Sequence, residues 1–153
     1  MNRFAMDSPV GRLVVEEQDG AIVRLGWRSD AAAPAQPPTP LLAEACRQLE
    51  AYFRKELTQD FDLPVRPSGS AFEQAVWTRM RQIPYGRTAT YGEMARDIDA
   101  IARAVGGACG ANPIPIVIPC HRVVGGSGWG GYSGRGGVET KSFLLALEGA
   151  TLL

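Results

Sequence analysis

Two short helices joined by a tight turn are predicted by residues 90–113, TYGEMARDIDAIARAVGGACGANP. Thr90 and Glu93 have the spacing of a capping box, in which each side chain accepts a hydrogen bond from the other residue's backbone N–H at the start of a helix. A residue or two near Asp99 separates this helix from a second one, which ends before Asn112-Pro113. Such a pair is typical of a helix-turn-helix or of an ordinary αα-hairpin, and the spacing leaves both open.

The second of these helices carries one long cation among small side chains: Ala102, Arg103, Ala104, Val105, Gly106, Gly107 and Ala108. A glycine inside a helix costs about 1 kcal/mol relative to alanine. We therefore expect a backbone to approach this surface closely, either that of a packed helix or that of a nucleic acid.

A further helix and a domain boundary are predicted upstream. Ser70 and Glu73 repeat the capping-box spacing, and the helix should stop before Pro84. Its apolar stripe consists of Phe72, Val76, Met80 and Ile83. The turn-forming tripeptide Pro67-Ser68-Gly69 precedes it, which predicts one domain over residues 1–66 and another over 70–153.

The N-terminal segment predicts a small α/β unit. Residues 10–16 and 21–27 are rich in Val, Ile and Leu and flank Asp19-Gly20, a dipeptide that favours hairpins. Thr39 and Pro40 then suit the N-cap and first position of a helix. The apolar face of that helix holds Leu42, Ala45, Leu49 and either Tyr52 or Phe53. A strand is predicted near residues 61–65, so the fold class is α/β.

A cysteine stands beside the only histidine of the chain at the end of the apolar, strand-like run Ile116–Val123. A thiol attacks as its thiolate, and neighbouring cationic or imidazole groups lower its pKa. His121 and Arg122 could therefore activate Cys120. The adjacency alone is also compatible with a buried structural cysteine and a surface histidine, since free cysteines are commonly buried.

The C-terminal part contains a glycine-rich loop and a last helix. Residues 126–131 match the pattern G-x-G-x-x-G, but too little chain follows to complete a dinucleotide-binding unit. We expect instead a loop that shapes a pocket beside Cys120. The helix holds apolar Phe143, Leu144 and Leu147, and it places Glu148 in its final turn, where the alternative is a solvated surface carboxylate.

Composition limits the classes of function. The 153 residues have zero formal net charge, with a slight cationic bias in the C-terminal part. Three cysteines without a C-x-x-C spacing predict no disulfide framework, no zinc site and a reducing cytoplasm. No apolar run approaches the ~20 residues of a membrane helix, so we expect no membrane partner.

Together these segments resemble the alkylguanine-DNA alkyltransferases, the methylated-DNA-protein-cysteine methyltransferases. The matching motifs lie in the family's order over residues 72–148: Phe72, Val76-Trp77, Ile83-Pro84-Tyr85-Gly86, Thr90-Tyr91-Gly92-Glu93, Arg103-Ala104-Val105-Gly106, Asn112-Pro113, Pro119–Val123, Gly131-Tyr132-Ser133-Gly134, Lys141, Leu144-Leu145 and Glu148. The resemblance implies a small N-terminal α/β subdomain and a mainly helical domain with a winged helix-turn-helix. It also implies DNA repair by stoichiometric transfer of an alkyl group from the exocyclic oxygen of guanine.

The resemblance assigns a role to each matching catalytic position. Cys120 would accept the alkyl group, and His121 would withdraw the thiol proton through a water while Glu148 orients the imidazole. Tyr91 would donate a proton to the leaving guanine. Asn112 would brace the turn that holds the cysteine strand.

The same resemblance implies a base pocket and a DNA surface. Val123, Tyr132 and Ser133 would line the pocket for a flipped guanine. The helix of small residues would enter the minor groove of double-stranded DNA, with Arg103 filling the space that the base leaves. The DNA-contacting residues would be Thr90, Arg103, Ala104 and Gly107. We expect a monomer that acts once, without metal or cofactor.

One departure and three competing functions accompany this prediction. The turn between Tyr91 and Arg103 lacks the family's Gly-x-Pro and is about two residues short, so the angle between its helices is not fixed by the resemblance. The competitors are a lesion-binding relative without the acceptor cysteine, a thiol hydrolase indifferent to DNA, and a structural DNA-binding module. Cys120 argues against the first, and the glycine-rich helix has no role in the second.

Overall fold

An antiparallel sheet forms the N-terminal part of the chain in this computed structural model, which describes residues 1–27, 33–126 and 137–150. Strands β1 (Asn2–Ser8), β2 (Gly11–Gln18) and β3 (Ala21–Gly26) pair in the order β1-β2-β3. The predicted hairpin is β2–β3. Its turn has positive φ at both Asp19 and Gly20, as a type I′ turn requires. The sequence pattern did not predict β1.

One helix covers this sheet. Helix α1 (Pro40–Phe53) begins as predicted, with Oγ1 of Thr39 accepting a hydrogen bond from the backbone N–H of Leu42 at 3.1 Å. Tyr52, rather than Phe53, is the fully buried aromatic residue at its end. The buried face of α1 therefore places a tyrosine hydroxyl inside the protein.

The prediction of a strand over residues 61–65 is wrong. Only one isolated parallel bridge, between Ile22 and Val65, forms in this described segment. The cause is local, because Pro64 and Pro67 have no backbone N–H to donate to a ladder.

Three helices follow in the second part of the chain: α2 (Ala71–Met80), α3 (Tyr91–Asp97) and α4 (Ala102–Gly110). Both predicted capping boxes are present, at Ser70 and at Thr90. The indole N–H of Trp77 donates to the carbonyl of Ala108 at 2.8 Å and joins α2 to α4. Gly69 allows this packing, since a Cβ there would lie 2.4 Å from the Trp77 ring.

Two details of these helices differ from the prediction. Phe72 belongs to the expected apolar stripe, yet it is 39% exposed in the first turn of α2, whereas Val76, Met80 and Ile83 are buried. The turn between α3 and α4 has four residues rather than one or two, and Asp99 reverses the chain there with φ of 54°.

The segment before the cysteine is not a strand. Residues 114–118 form a turn closed by a bridge between Pro115 and Ile118, and Ile116 has a φ of 74°. Prolines at positions 113, 115 and 119 remove the backbone donors that a strand needs. A 3₁₀ helix, Cys120–Arg122, follows, and β5 (Val123–Val124) then pairs in parallel with β4 (Ala89–Thr90).

A last helix, α5 (Val138–Leu147), ends at Glu148 as its C-cap. One hydrophobic cluster runs from Phe4 in the sheet to Leu144 in α5, so buried side chains from both sides of residues 67–69 pack together. The boundary at 67–69 stays a prediction. Among the described helices, none is long and apolar enough to cross a bilayer.

Candidate active site

Cys120 is the first residue of the 3₁₀ turn and is 5% exposed. Burial raises the pKa of its thiol, while a hydrogen bond with Asn112 and the positive charge of Lys141 act in the opposite direction. The expectation that His121 and Arg122 lower the thiol pKa is therefore wrong. Arg122 fails to act on the thiol because its guanidinium is paired with carboxylates elsewhere.

Asn112 holds the turn that leads to Cys120. Its Nδ2 donates to the carbonyl of Ile118 at 2.8 Å, and its Oδ1 accepts from the backbone N–H of Ile114 at 3.0 Å. One side chain thus ties together both sides of a turn whose prolines cannot supply backbone hydrogen bonds.

His121 and Glu148 form a buried pair. Nε2 of His121 lies 2.6 Å from Oε2 of Glu148, and neither side chain is exposed to solvent. Because the carboxylate accepts the proton at Nε2, the free lone pair of a neutral imidazole is at Nδ1, which has no hydrogen-bond partner among the described residues. Burial lowers the pKa of His121, although Glu148 opposes this effect.

Glu148 is the centre of a hydrogen-bond network and not a surface carboxylate. Besides His121, its donors are the Tyr52 hydroxyl at 2.7 Å, Nε and Nη2 of Arg122 at 2.9 and 3.2 Å, and the backbone N–H of Gly86 at 3.2 Å. Burial alone would raise its pKa. The hydrogen bonds and charges of His121 and Arg122 outweigh burial and lower the pKa of Glu148 to about 2.

Arg122 connects this network to two other parts of the chain. Its Nη1 donates to Oδ1 of Asp60 at 2.8 Å and to the carbonyl of Ile83 at 2.7 Å. The guanidinium also lies 5.8 Å from the centre of the Tyr85 ring. A cation that is 2% exposed is tolerated here because its charge and its N–H groups have partners.

Tyr91 and Lys141 lie near Cys120 and next to each other. The Lys141 ammonium donates to the carbonyl of Val123 at 2.7 Å and sits 5.6 Å from the Tyr91 ring centre. Burial lowers the pKa of Lys141 to about 8 and raises that of Tyr91 to about 12. Of the predicted pocket residues, Val123 is thus buried with its carbonyl bound to Lys141, and Tyr132 and Ser133 lie outside the described residues.

Three of the predicted DNA-contacting residues lie on α4, and the fourth, Thr90, is the N-cap of α3. Arg103 and Gly107 are exposed, Ala104 is half-exposed, and Thr90 caps α3 through its hydroxyl. No described atom outside the helix lies within 4 Å of a Cβ built at Gly106 or Gly107. Within the described part of the chain, no helix packs on these glycines, so the packed-helix alternative is not supported there.

Family models match both halves of this fold. Residues 71–150 match the DNA binding domain of 6-O-methylguanine DNA methyltransferase, and residues 3–67 match its ribonuclease-like domain. The chain belongs to the 6-O-methylguanine DNA methyltransferase family. This confirms the resemblance and the fold class, a small N-terminal sheet unit followed by a mainly helical part.

Relatives in this methyltransferase family match over nearly the whole chain. The methylated-DNA–protein-cysteine methyltransferase of Haemophilus influenzae is 40% identical over 152 residues, 92% of this chain and 82% of the relative. That of Mycolicibacterium paratuberculosis is 45% identical over 94% and 89% of the two chains. The crystal structure of Mycobacterium tuberculosis OGT in complex with DNA superposes with a TM-score of 0.86 at 40% identity, covering 97% of this chain and 93% of that one.

Sequence reasoning missed part of the methyltransferase site. Tyr52 and Asp60 come from the N-terminal region and reach Glu148 and Arg122. Tyr52 lies on an apolar helix stripe, so its spacing indicated only a core residue. Asp60 lies near other charged residues in the sequence, and no pattern there indicated that it would pair with Arg122. The position of Lys141 between Tyr91 and Val123 also depends on the fold, although the residue itself belongs to a family motif.

Proposed function

We propose that this chain repairs DNA by transferring the alkyl group of an O6-alkylated guanine to Sγ of its own Cys120. The observation that carries this proposal is the buried histidine beside the cysteine: Glu148 holds Nε2 of His121, and Nδ1 is left without a partner among the described residues. A neutral imidazole held in one tautomer is a general base. Membership of the 6-O-methylguanine DNA methyltransferase family and the names of the relatives support the same reaction.

The proposed reaction begins with proton transfer from the Cys120 thiol, through one water, to Nδ1 of His121. Burial keeps the thiol protonated in the resting protein, so the thiolate forms together with an imidazolium that Glu148 stabilises. The thiolate attacks the alkyl carbon, a C–S bond forms, and the C–O bond breaks with its electron pair going to the guanine oxygen. The product is a thioether, so each molecule acts once.

The leaving guanine needs a proton, and Tyr91 is the proposed donor. With a pKa of about 12, raised by burial, the Tyr91 phenol carries its proton at neutral pH. Asn112 contributes by holding the turn that displays Cys120. Residue chemistry and the family motif support these two proposed roles.

The proposed substrate is double-stranded DNA with the damaged nucleotide flipped out of the helix. A cysteine that is 5% exposed cannot reach a stacked base, and extrusion of a base costs a few kcal/mol. We place α4 in the minor groove, where Ala104 and Gly107 permit close approach and Arg103 fills the vacated space. Thr90 would contact the backbone, and Val123, Tyr132 and Ser133 would receive the base.

We also propose that the protein is a monomer, that it needs no cofactor or metal, and that it acts in the cytoplasm. Three free cysteines in the described part of the chain suit a reducing compartment. No group of three His, Cys, Asp or Glu side chains in the described residues is arranged to hold a metal ion.

Mass spectrometry after mixing the protein with a duplex that contains one O6-methylguanine tests this function. We expect each protein molecule to gain one methylene unit, confined to the Cys120 peptide. The Cys46 and Cys109 peptides serve as internal controls, and a Cys120→Ala variant should bind the duplex without gaining mass. Binding of the duplex by the unaltered protein without any gain in mass would favour the lesion-binding alternative instead.

A further inference from the structure

The N-terminal region contributes a hydrogen bond to the catalytic network. Tyr52, in the last turn of α1, is fully buried, and its hydroxyl donates to Oε2 of Glu148 at 2.7 Å across 96 residues of sequence. The rings of Phe53 and Phe61 each lie 5.2 Å from the Tyr52 ring. This packing fixes the direction of the hydroxyl.

Tyr52 and His121 share one oxygen of Glu148. Oε2 accepts from Nε2 of His121 at 2.6 Å and from Tyr52 at 2.7 Å, and Nη2 of Arg122 is farther away at 3.2 Å. Each added donor takes up negative charge on that oxygen and so weakens its attraction for a proton on the imidazole. Burial and the nearby Glu148 raise the pKa of Tyr52, which keeps the phenol a donor.

We propose that Tyr52 is a positioning residue for alkyl transfer, whose hydroxyl fixes Glu148 and limits how strongly that carboxylate holds a proton on His121. The imidazole then stays neutral, with Nδ1 free to accept the thiol proton. This role rests on the proposed function, and it makes α1 part of the catalytic apparatus.

Other ionisable groups lie near the His121–Glu148 pair, and one of them, Arg122, is also paired with Asp60 at 2.8 Å. Arg122 lies beside His121 on the 3₁₀ turn, Tyr85 precedes β4, and Lys141 projects from α5. Among the residues that the structure describes, the Tyr85 hydroxyl donates only to the carbonyl of Leu147, at 3.5 Å. Because Tyr85 is close to Glu148 but does not bind its carboxylate, Tyr85→Phe is a matched control for Tyr52→Phe.

The chain has a single histidine, so the imidazole signals in an NMR spectrum belong to His121 without assignment. We expect Tyr52→Phe to move the titration of His121 to higher pH, by more than Tyr85→Phe does. Replacing Tyr52 by a fluorotyrosine keeps the ring in place and makes its hydroxyl a stronger donor. This variant should move the titration to lower pH. Equal titrations in Tyr52→Phe and Tyr85→Phe would overturn the proposal.

Alkyl transfer provides the second measurement. Below the His121 midpoint, Tyr52→Phe should react more slowly by about threefold to tenfold, since one pKa unit changes the neutral fraction tenfold. At alkaline pH it should not be slower than the unaltered protein. A uniform loss at every pH would indicate a purely structural role and would contradict the proposal. If the unaltered protein transfers no alkyl group, the proposed function fails, whereas the NMR comparison still tests Tyr52.

Discussion

The Glu148 carboxylate lies 2.6 Å from the His121 imidazole, at the C-cap of α5, although 27 residues separate the two in sequence. A carboxylate at the C-terminal end of a helix is disfavoured by the helix dipole. Donors from α1, from Gly86 and from the 3₁₀ turn offset this cost. The position of Glu148 is therefore set by its partners and not by the helix that carries it.

Glu148→Gln should destabilise the protein by about 3 kcal/mol, because buried Arg122 loses a charged partner. The folded-state pKa of Glu148, about 2, lies below its ordinary value of 4.5. Its contribution is therefore complete above pH 4.5 and is lost as the pH falls toward 2.

Urea unfolding as a function of pH checks this effect. The stabilities of Glu148→Gln and of the unaltered protein should converge between pH 4.5 and 2. Glu139→Gln, at an exposed position of α5, is the control and should change stability by less than about 0.5 kcal/mol. A stability difference that does not depend on pH in this range would show that the charge of Glu148 is not responsible.

Lys141→Met should raise the pKa of Cys120. The positive charge of Lys141 is one of the effects that counteract burial of the thiol, and methionine fills similar space without charge. The rate at which iodoacetamide modifies the Cys120 peptide should then rise only at higher pH than in the unaltered protein. Lys55→Met, on the exposed surface, should leave the profile unchanged. Superimposable profiles for Lys141→Met and the unaltered protein would contradict the prediction.

Asn112→Ala should cost about 1 to 3 kcal/mol of stability, because it leaves the Ile118 carbonyl and the Ile114 N–H without their partner. Alkyl transfer should slow as well, since Cys120 loses its hydrogen bond to the same side chain. Chemical denaturation and single-turnover rates measure the two effects. Asn2→Ala, at an exposed end of β1, is the control. If Asn112→Ala retained both the stability and the transfer rate of the unaltered protein, Asn112 would not be needed to hold the turn before Cys120.

Two substitutions at Gly107 test helix stability and DNA binding separately. Gly107→Ala should stabilise the protein by roughly 0.5 to 1 kcal/mol, because alanine favours the helix and no described atom crowds its Cβ. Gly107→Leu should fold but bind duplex DNA more weakly, since the larger side chain holds the backbones apart. Thermal unfolding and fluorescence anisotropy measure the two quantities. Undiminished duplex binding by Gly107→Leu would place the DNA on another surface.

Arg103→Ala should slow repair of duplex DNA and leave the reaction with the free alkylated base unchanged. Arg103 is exposed and makes no hydrogen bond or ion pair with the described residues, so its removal should not affect folding. Rates of transfer from the two substrates give the comparison. Arg47→Ala, an exposed arginine on α1, should leave both rates unaltered. If Arg103→Ala repaired the duplex at the rate of the unaltered protein, the Arg103 side chain would have no role in base flipping.

The sequence by itself determined the features that depend on hydrogen bonds between near neighbours. The β2–β3 turn at Asp19-Gly20 and the capping boxes at Ser70 and Thr90 form as predicted. Each is complete within three or four residues, so its residue types suffice to specify it. The motifs over residues 72–148 likewise identified the family, because their order and residue types are specific to it.

Only the tertiary structure decided the electrostatics of the site. Cys120 ends a proline-rich turn in place of a strand, and burial raises its pKa although a histidine and an arginine follow it directly. Glu148 is ionised and buried because Tyr52 and Arg122, 96 and 26 residues away, donate to it. Burial and long-range hydrogen bonds depend on which elements pack together, and no local pattern of residues encodes that packing.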